Sequence, residues 1–174
     1  EYAEFINKHK IELFIELDID NVVGYEKVKK LRNKLESLTQ KQCIPVWHKS
    51  RGKQEWINLI KEYDYVAIGG IATKEIRSKE YKYFHWFLNE AKRNNCKVHA
   101  LGFTNLKGLT EYPFYSVDST SWLSGNRFGG VYIFNGVTLE KINKPSGYRV
   151  KSKKVTKHNF YEWVKFQKYA DKYL

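Results

Sequence analysis

Methionine is absent from this sequence, and cysteine occurs only twice. A gene product starts with Met, so a chain that opens on Glu1 without one is expected to be a piece of something longer, or one whose start was removed. Cys43 and Cys96 lie far apart and in no metal-like spacing, which fits a reduced, cytoplasmic chain. No apolar run approaches the roughly 20 residues needed to cross a bilayer, and no signal-peptide pattern opens the chain. Internal repeats and low-complexity segments are lacking too. No Gly-rich dinucleotide fingerprint follows the first expected strand, which weakens a Rossmann reading. No Ser/His/Asp order and no His/Cys cluster argues for a hydrolase triad or a metal site.

What is present is a globular composition with a large positive excess. Hydrophobic residues make up 42% of the 174 residues and aromatics 16%, enough for one domain with a real core. Lys and Arg number 31 against 19 Asp and Glu, a net charge of +12. Such an excess favours a polyanionic partner such as nucleic acid, through counterion release. Lysine bias from an AT-rich genome accounts for the same number.

The periodicity predicts alternating strands and helices. Strands are expected over 11–20 (IELFIELDID), 43–49 (CIPVWHK), 65–70 (YVAIGG), 97–103 (KVHALGF) and 114–118 (FYSVD). A helix over 25–40 places Tyr25, Val28, Leu31, Leu35 and Leu38 on one face with Lys and Arg opposite. A short helix over 54–63 turns Trp56, Ile57 and Ile60 inward. Tyr81, Phe84, Leu88 and Ala91 mark the next helix, with Asn95 as its stop. Residues 105–113 form a helical turn stopped by Pro113. A β-hairpin spans 129–142 with Asn135-Gly136 at its turn, a basic connection spans 144–157, and a terminal helix over 158–174 turns Phe160, Trp163 and Val164 inward.

Strands alternating with helices mean a parallel sheet covered by helices. An open doubly wound sheet and a β/α barrel compete. Polar residues recur at the C-terminal ends of the strands (Asp18 and Asp20, His48, Gly69 and Gly70, Gly102 and Thr104, Asp118), the face on which barrels build their sites. A barrel needs eight strands and about 250 residues. The expectation is therefore an α/β chain forming a partial TIM (β/α)8-type barrel over 1–174, its first two or so β/α units missing, with an inserted hairpin and a C-terminal helix.

Three features could carry chemistry. In VAIGGIATKE (66–75), Gly69 and Gly70 at a strand end allow close backbone approach to a ligand, and their N–H groups can meet a phosphate or a flat base edge; an ordinary β-to-α turn uses the same residues. In LDID (17–20), a carboxylate can accept two N–H bonds from a guanine-like edge. Asp18 and Asp20 point to one side of an extended strand, and for Asp20 a helix cap or an ion pair with one of the many lysines is the preferred reading. His48 shares the side of Val46; a lone His at a strand end is more often hydrogen-bonded structure than a base, and His99 within a strand more so. Asp118, if it faces the site, can attack an electrophilic sugar carbon as in retaining glycosyl transfer, or it can cap a helix. The turn-rich WLSGNRFGG after it argues against an ordinary helix starting at 118.

VAIGGIATKE, VHALGF, YSVDSTSW and SGNRFGGVYIFNGVTLEKI, in that order, resemble tRNA-guanine transglycosylases (queuine tRNA-ribosyltransferases) and their phage and bacterial relatives that modify DNA or RNA with 7-deazaguanines. The likeness runs over roughly 11–142. It implies a β/α barrel that exchanges a guanine in a polynucleotide for a free 7-deazaguanine, in the cytoplasm of a bacterium or a phage-infected host. By similarity, Asp118 attacks the ribose C1′ and holds a covalent intermediate, and Asp18 recognises the base. Gly69, Gly70 and Ile71 give backbone contacts to the base carbonyl, and Leu101 and Gly102 form part of the pocket wall. Ser124, Asn126 and Arg127 approach the backbone phosphates.

The chain departs from the family pattern in three places. His48 stands where tRNA enzymes have a base-binding Gln. The N-terminal Asp-Ser-Gly-Gly-Phe-like motif is missing. So is the three-Cys, one-His zinc site, which leaves no cofactor expected and favours a compact phage-type or DNA-directed relative. Expected partners are tRNA or DNA, a free guanine or 7-deazaguanine base, and either a second copy in a homodimer or a separate N-terminal fragment; no membrane is involved. A non-catalytic nucleic-acid-binding or assembly module is the alternative. A phosphate-binding barrel enzyme acting on a small metabolite ranks third, since it leaves the charge unexplained.

Overall fold

The structure is a computed structural model that describes residues 1–103, 105–123, 129–143, 147 and 151–174. The chain divides into two compact units. The first comprises Glu1–Leu101 with Phe114–Val117, the second Gly102–Pro113 with Asp118–Leu174.

The first unit is a four-stranded parallel sheet with helices. Helices α1 (Tyr2–Lys8), α2 (Asp20–Val23) and α3 (Tyr25–Thr39) precede β1 (Val46–Trp47). Then come α4 (Gly52–Glu62), β2 (Tyr65–Ile68), α5 (Phe84–Arg93), β3 (Lys97–Ala100) and β4 (Ser116–Val117). The sheet order is β1-β2-β3-β4, all parallel, with Val46 beside Ala67, Ala67 beside His99 and His99 beside Ser116. This is a mixed α/β fold, as the alternating periodicity predicts.

Its interior is built from the periodic residues. Trp56, Leu59 and Ile60 of α4 and Phe84, Phe87, Leu88 and Ala91 of α5 are buried. Trp47 of β1 packs against Trp56 and Phe87, with ring centroids 5.8 and 4.6 Å apart. Asn95 turns the chain after α5 with φ +54°. Helix α1, unread in the sequence, buries Ala3 and Ile6 against Phe14, Leu35 and Cys43.

Three expectations are corrected here. The first strand, expected over 11–20, reduces to a single parallel bridge between Ile15 and Ile44. Glu16 N–H donates to the Ile44 carbonyl and Ile44 N–H to the Phe14 carbonyl, after which the chain turns into α2. On α3 the apolar face is displaced: Leu38 is exposed, while Arg32, read as solvent-facing, is buried. Arg32 turns inward because its Nε donates to the buried Glu16 carboxylate at 2.7 Å, and a charge leaves water only with such a partner. The fifth strand, expected over 114–118, is ordered as a strand only at Ser116–Val117.

The second unit holds the short α6 (Gly108–Glu111), a 3₁₀ turn at Ser121–Leu123, the antiparallel hairpin β5 (Gly130–Phe134) and β6 (Leu139–Asn143), and α7 (Ser152–Tyr173). Asn135-Gly136 makes the hairpin turn as read, with Gly136 at φ +99°. Helix α7 begins inside the segment read as a basic connection, and its inward face differs from the expected one. Phe160 is 47% exposed, whereas Asn159, Glu162 and Phe166 are buried.

The free edge of β5 explains that choice. Asn159 Oδ1 accepts from Tyr132 N–H at 2.9 Å, its Nδ2 donates to the Gly130 carbonyl at 3.0 Å, and Glu162 Oε2 accepts from Phe134 N–H at 2.7 Å. Two polar side chains one helical turn apart thus stand in for a neighbouring strand, and a purely apolar face would leave those backbone groups unpaired. Among the described residues, no helix is long and apolar enough to cross a membrane.

Candidate functional site

The C-terminal ends of β1 and β2 gather most of the sequence-derived candidates of the first unit around His48. The imidazole is 6% exposed and both nitrogens meet carboxylates. Nε2 lies 2.8 Å from Asp18 Oδ1, and Nδ1 lies 2.9 Å from Glu75 Oε2. The second Glu75 oxygen accepts from Ser50 N–H at 3.0 Å. Bonding to Asp18 first, and then to Glu75, outweighs burial and raises the pKa of His48 to about 9. At neutral pH the ring is therefore an imidazolium donating at both ends. Its chemistry is that of a clamp holding two carboxylates, not of a free base.

The glycine pair is shaped around this clamp. A Cβ on Gly69 would fall 2.7 Å from the His48 ring and 2.8 Å from Val46 Cγ1, so only Gly lets β2 end against the imidazole. Gly70 has φ +79°, and a Cβ there would fall 2.6 Å from Glu75 Oε2. The backbone then folds back, with Ile76 N–H donating to the Gly70 carbonyl at 3.1 Å, and Ile71 is buried. Leu101, half-buried, packs with Ile44, Val46 and Ala67.

Behind the clamp lies a second ionic layer. Arg51 bonds Asp20 at 2.8 Å, donates to the Val46 carbonyl, and stacks 4.0 Å from the centroid of the Tyr25 ring. Burial pulls the Asp20 carboxyl up, but Arg51 and nearby His48 outweigh it and hold it below the usual range. Asp20 is thus an ion-pair residue, but its cation is Arg51 and not one of the lysines expected. Glu16 Oε1 accepts from Val46 N–H at 2.7 Å while its other oxygen holds Arg32. Glu16, Asp18 and Asp20 thus pair with Arg32, His48 and Arg51 respectively.

Asp18, Asp20 and His48 offer one ligand atom each within 4.8 Å of one another. The donor set does not suit a cation as it stands. Asp20 already carries the Arg51 guanidinium, and His48 would first have to lose its proton.

Asp118 and Gly102 belong to the second unit. Asp118 Oδ1 accepts from Gly102 N–H at 2.7 Å, and Gly102 has φ +69°. The loop carboxylate therefore fixes the turn that follows β3. His99 takes a structural place, with Nδ1 2.5 Å from Ser116 Oγ. Ser124, Asn126, Arg127 and Thr104 lie outside the described residues.

Sequence reasoning missed Glu75, Arg51, Glu16 and Arg32. Glu75 stood in plain view in the glycine motif, and Glu16 continues the alternation of Asp18 and Asp20. Arg51 and Arg32 sit among many surface cations and carry no signal that marks them as buried. Both cysteines are free and buried, and burial raises Cys96 to about 12 and pushes Cys43 up as well, so neither is a reactive thiolate. Comparisons with protein-family models, with curated proteins and with solved structures return no match for this chain.

Proposed function

We propose that this chain is part of a base-exchanging transglycosylase that replaces guanine in a polynucleotide, DNA or tRNA, with a free 7-deazaguanine. The observation that supports the reading is the convergence of Asp18 and the Gly69-Gly70 turn on His48, at the ends of β1 and β2. Asp18 spends Oδ1 on His48, and its carboxylate keeps acceptor capacity for the N–H edge of a purine. Gly69 N–H is spent on the Trp47 carbonyl at 2.8 Å, so the donors that a base carbonyl needs come from Gly70 and Ile71 in this reading. His48 and Glu75 position that carboxylate.

In the proposed reaction Asp118 attacks the ribose C1′. A C1′–oxygen bond forms as the glycosidic bond to N9 breaks, and guanine leaves with the electron pair and takes up a proton. The incoming 7-deazaguanine gives up its ring N–H proton and attacks C1′, and the Asp118 carboxylate departs. Two inversions retain configuration. No cofactor takes part. The four parallel strands are read as consecutive strands of a (β/α)8-type barrel working in the cytoplasm.

The test is entry of labelled guanine or 7-deazaguanine into single-stranded DNA, duplex DNA and tRNA, with a denaturing gel for the covalent adduct. Asp118→Asn is expected to abolish both label entry and adduct. Asp18→Asn is expected to raise KM for the free base roughly 10- to 100-fold, the effect of losing a charged hydrogen bond of about 1.5–3 kcal/mol. Label entry that persists with Asp118→Ala removes Asp118 as nucleophile, and no entry into any polymer removes the reaction. A non-catalytic nucleic-acid-binding module is the second reading. It is favoured by the structural employment of Asp118 Oδ1 on Gly102 N–H and of both His48 nitrogens on carboxylates.

A further inference from the structure

We infer that the cleft between α7 and the 3₁₀ turn at Ser121–Leu123 is a stacking site for a nucleotide unit of single-stranded polynucleotide. The inference rests on the polynucleotide partner of the proposed function, not on its base-exchange chemistry. The cleft, about 440 Å³, is lined by Trp122, Ser152, Lys153, Thr156, Lys157 and Phe160. Lys153, Thr156, Lys157 and Phe160 recur at intervals of three and four, so one face of α7 presents amines, a hydroxyl and an aromatic ring together.

The two rings are held by structure and are still open to solvent. Trp122 and Phe160 meet edge to face, with centroids 5.6 Å apart. Trp122 is tied down through its carbonyl, which accepts from Asn159 Nδ2 at 3.3 Å, and Asn159 is itself fully buried on the hairpin. Phe160 nevertheless remains 47% exposed. Folding leaves apolar area in water here that a flat base would cover.

Among the described residues no carboxylate pairs with Lys153 or Lys157, the charges beside the rings, and the first turn of α7 holds no acid. The Lys157 amine lies 5.9 Å from the centroid of the Tyr161 ring. Amines next to open aromatic faces match a phosphate next to a base. A membrane surface is the less favoured partner, because the apolar stripe of α7 is already spent on the hairpin. Trp163 packs on Tyr132 at 5.6 Å and Phe166 on Phe134 at 6.2 Å, which leaves no continuous apolar face to insert.

Binding of a short fluorescein-labelled oligothymidylate, read by anisotropy across a salt series, tests this, with circular dichroism confirming that each variant keeps its helix. Phe160→Ala is expected to weaken binding about tenfold with the salt slope unchanged, and Phe160→Trp to retain it. Lys153→Gln with Lys157→Gln is expected to lower the slope of log affinity against log salt by about 1.4, since each single-strand phosphate contact contributes about 0.7. Binding that is unchanged in both variants overturns the inference. So does sensitivity to the lysines but not to Phe160, which is diffuse attraction. Loss of binding to phosphatidylserine vesicles with oligonucleotide binding intact assigns the cleft to membranes and overturns it too. The expected pattern without label exchange sinks the base-exchange reading alone; wild-type exchange at limiting polymer in a variant that combines Phe160→Ala, Lys153→Gln and Lys157→Gln sinks this inference alone.

Discussion

Raising the pH should unlock the His48 clamp. The ordinary histidine pKa is about 6.5, and the folded value is raised to about 9 by Asp18 and Glu75. The folded state therefore binds the proton more tightly than the unfolded chain. The resulting stability is fully present below about pH 6.5 and is lost as pH rises through about 9. A difference of about 2.5 pKa units corresponds to at most about 3.4 kcal/mol. Both carboxylates are about one-third exposed, at 33% and 31%, so solvent screening reduces this to about 1–2 kcal/mol. The assay is urea unfolding of the wild type and His48→Gln at pH 6 and at pH 9.5, where the difference between the two proteins cancels the titration of every other group. The wild-type advantage should shrink by about 1–2 kcal/mol between the two conditions, and the His48 ring resonances should titrate near 9. An advantage independent of pH, together with titration near 6.5, would refute the clamp.

Two substitutions probe the packing on which the two units depend. Gly69→Ala drives a methyl into the His48 ring and Val46; it should lower stability by about 1–3 kcal/mol in thermal melts and return the His48 titration toward its ordinary value. Asn159→Ala strips partners from Tyr132 N–H and the Gly130 carbonyl. It should cost about 1–3 kcal/mol and speed hydrogen exchange at the Tyr132 amide well beyond that of residues in α4.

Short-range pattern alone determined much of this protein. The helix over Tyr25–Thr39, the burial of Trp56, Ile60, Phe84, Leu88 and Ala91, the hairpin turn at Asn135-Gly136 and the parallel order of the strands all follow from spacing, because amphipathic period and turn chemistry are local properties. His48, Gly69 and Gly70 were also legible as strand-end residues, since strand ends are where polar groups interrupt apolar runs; Asp18 was read the same way, but the strand meant to carry it shrinks to the bridge at Ile15. Tertiary structure decided who partners whom. Nothing local marks Arg32 or Arg51 as buried among 31 cations; their burial depends on Glu16 and Asp20 arriving from distant positions in the chain. Likewise Phe160 was expected inside, and the free edge of β5 drew Asn159 inward instead, because unpaired backbone groups in a packed interface cost more than one exposed ring. His48 shows the division most plainly. Its position at a strand end is a property of the sequence, but its charge is set by two carboxylates that only the fold brings to it.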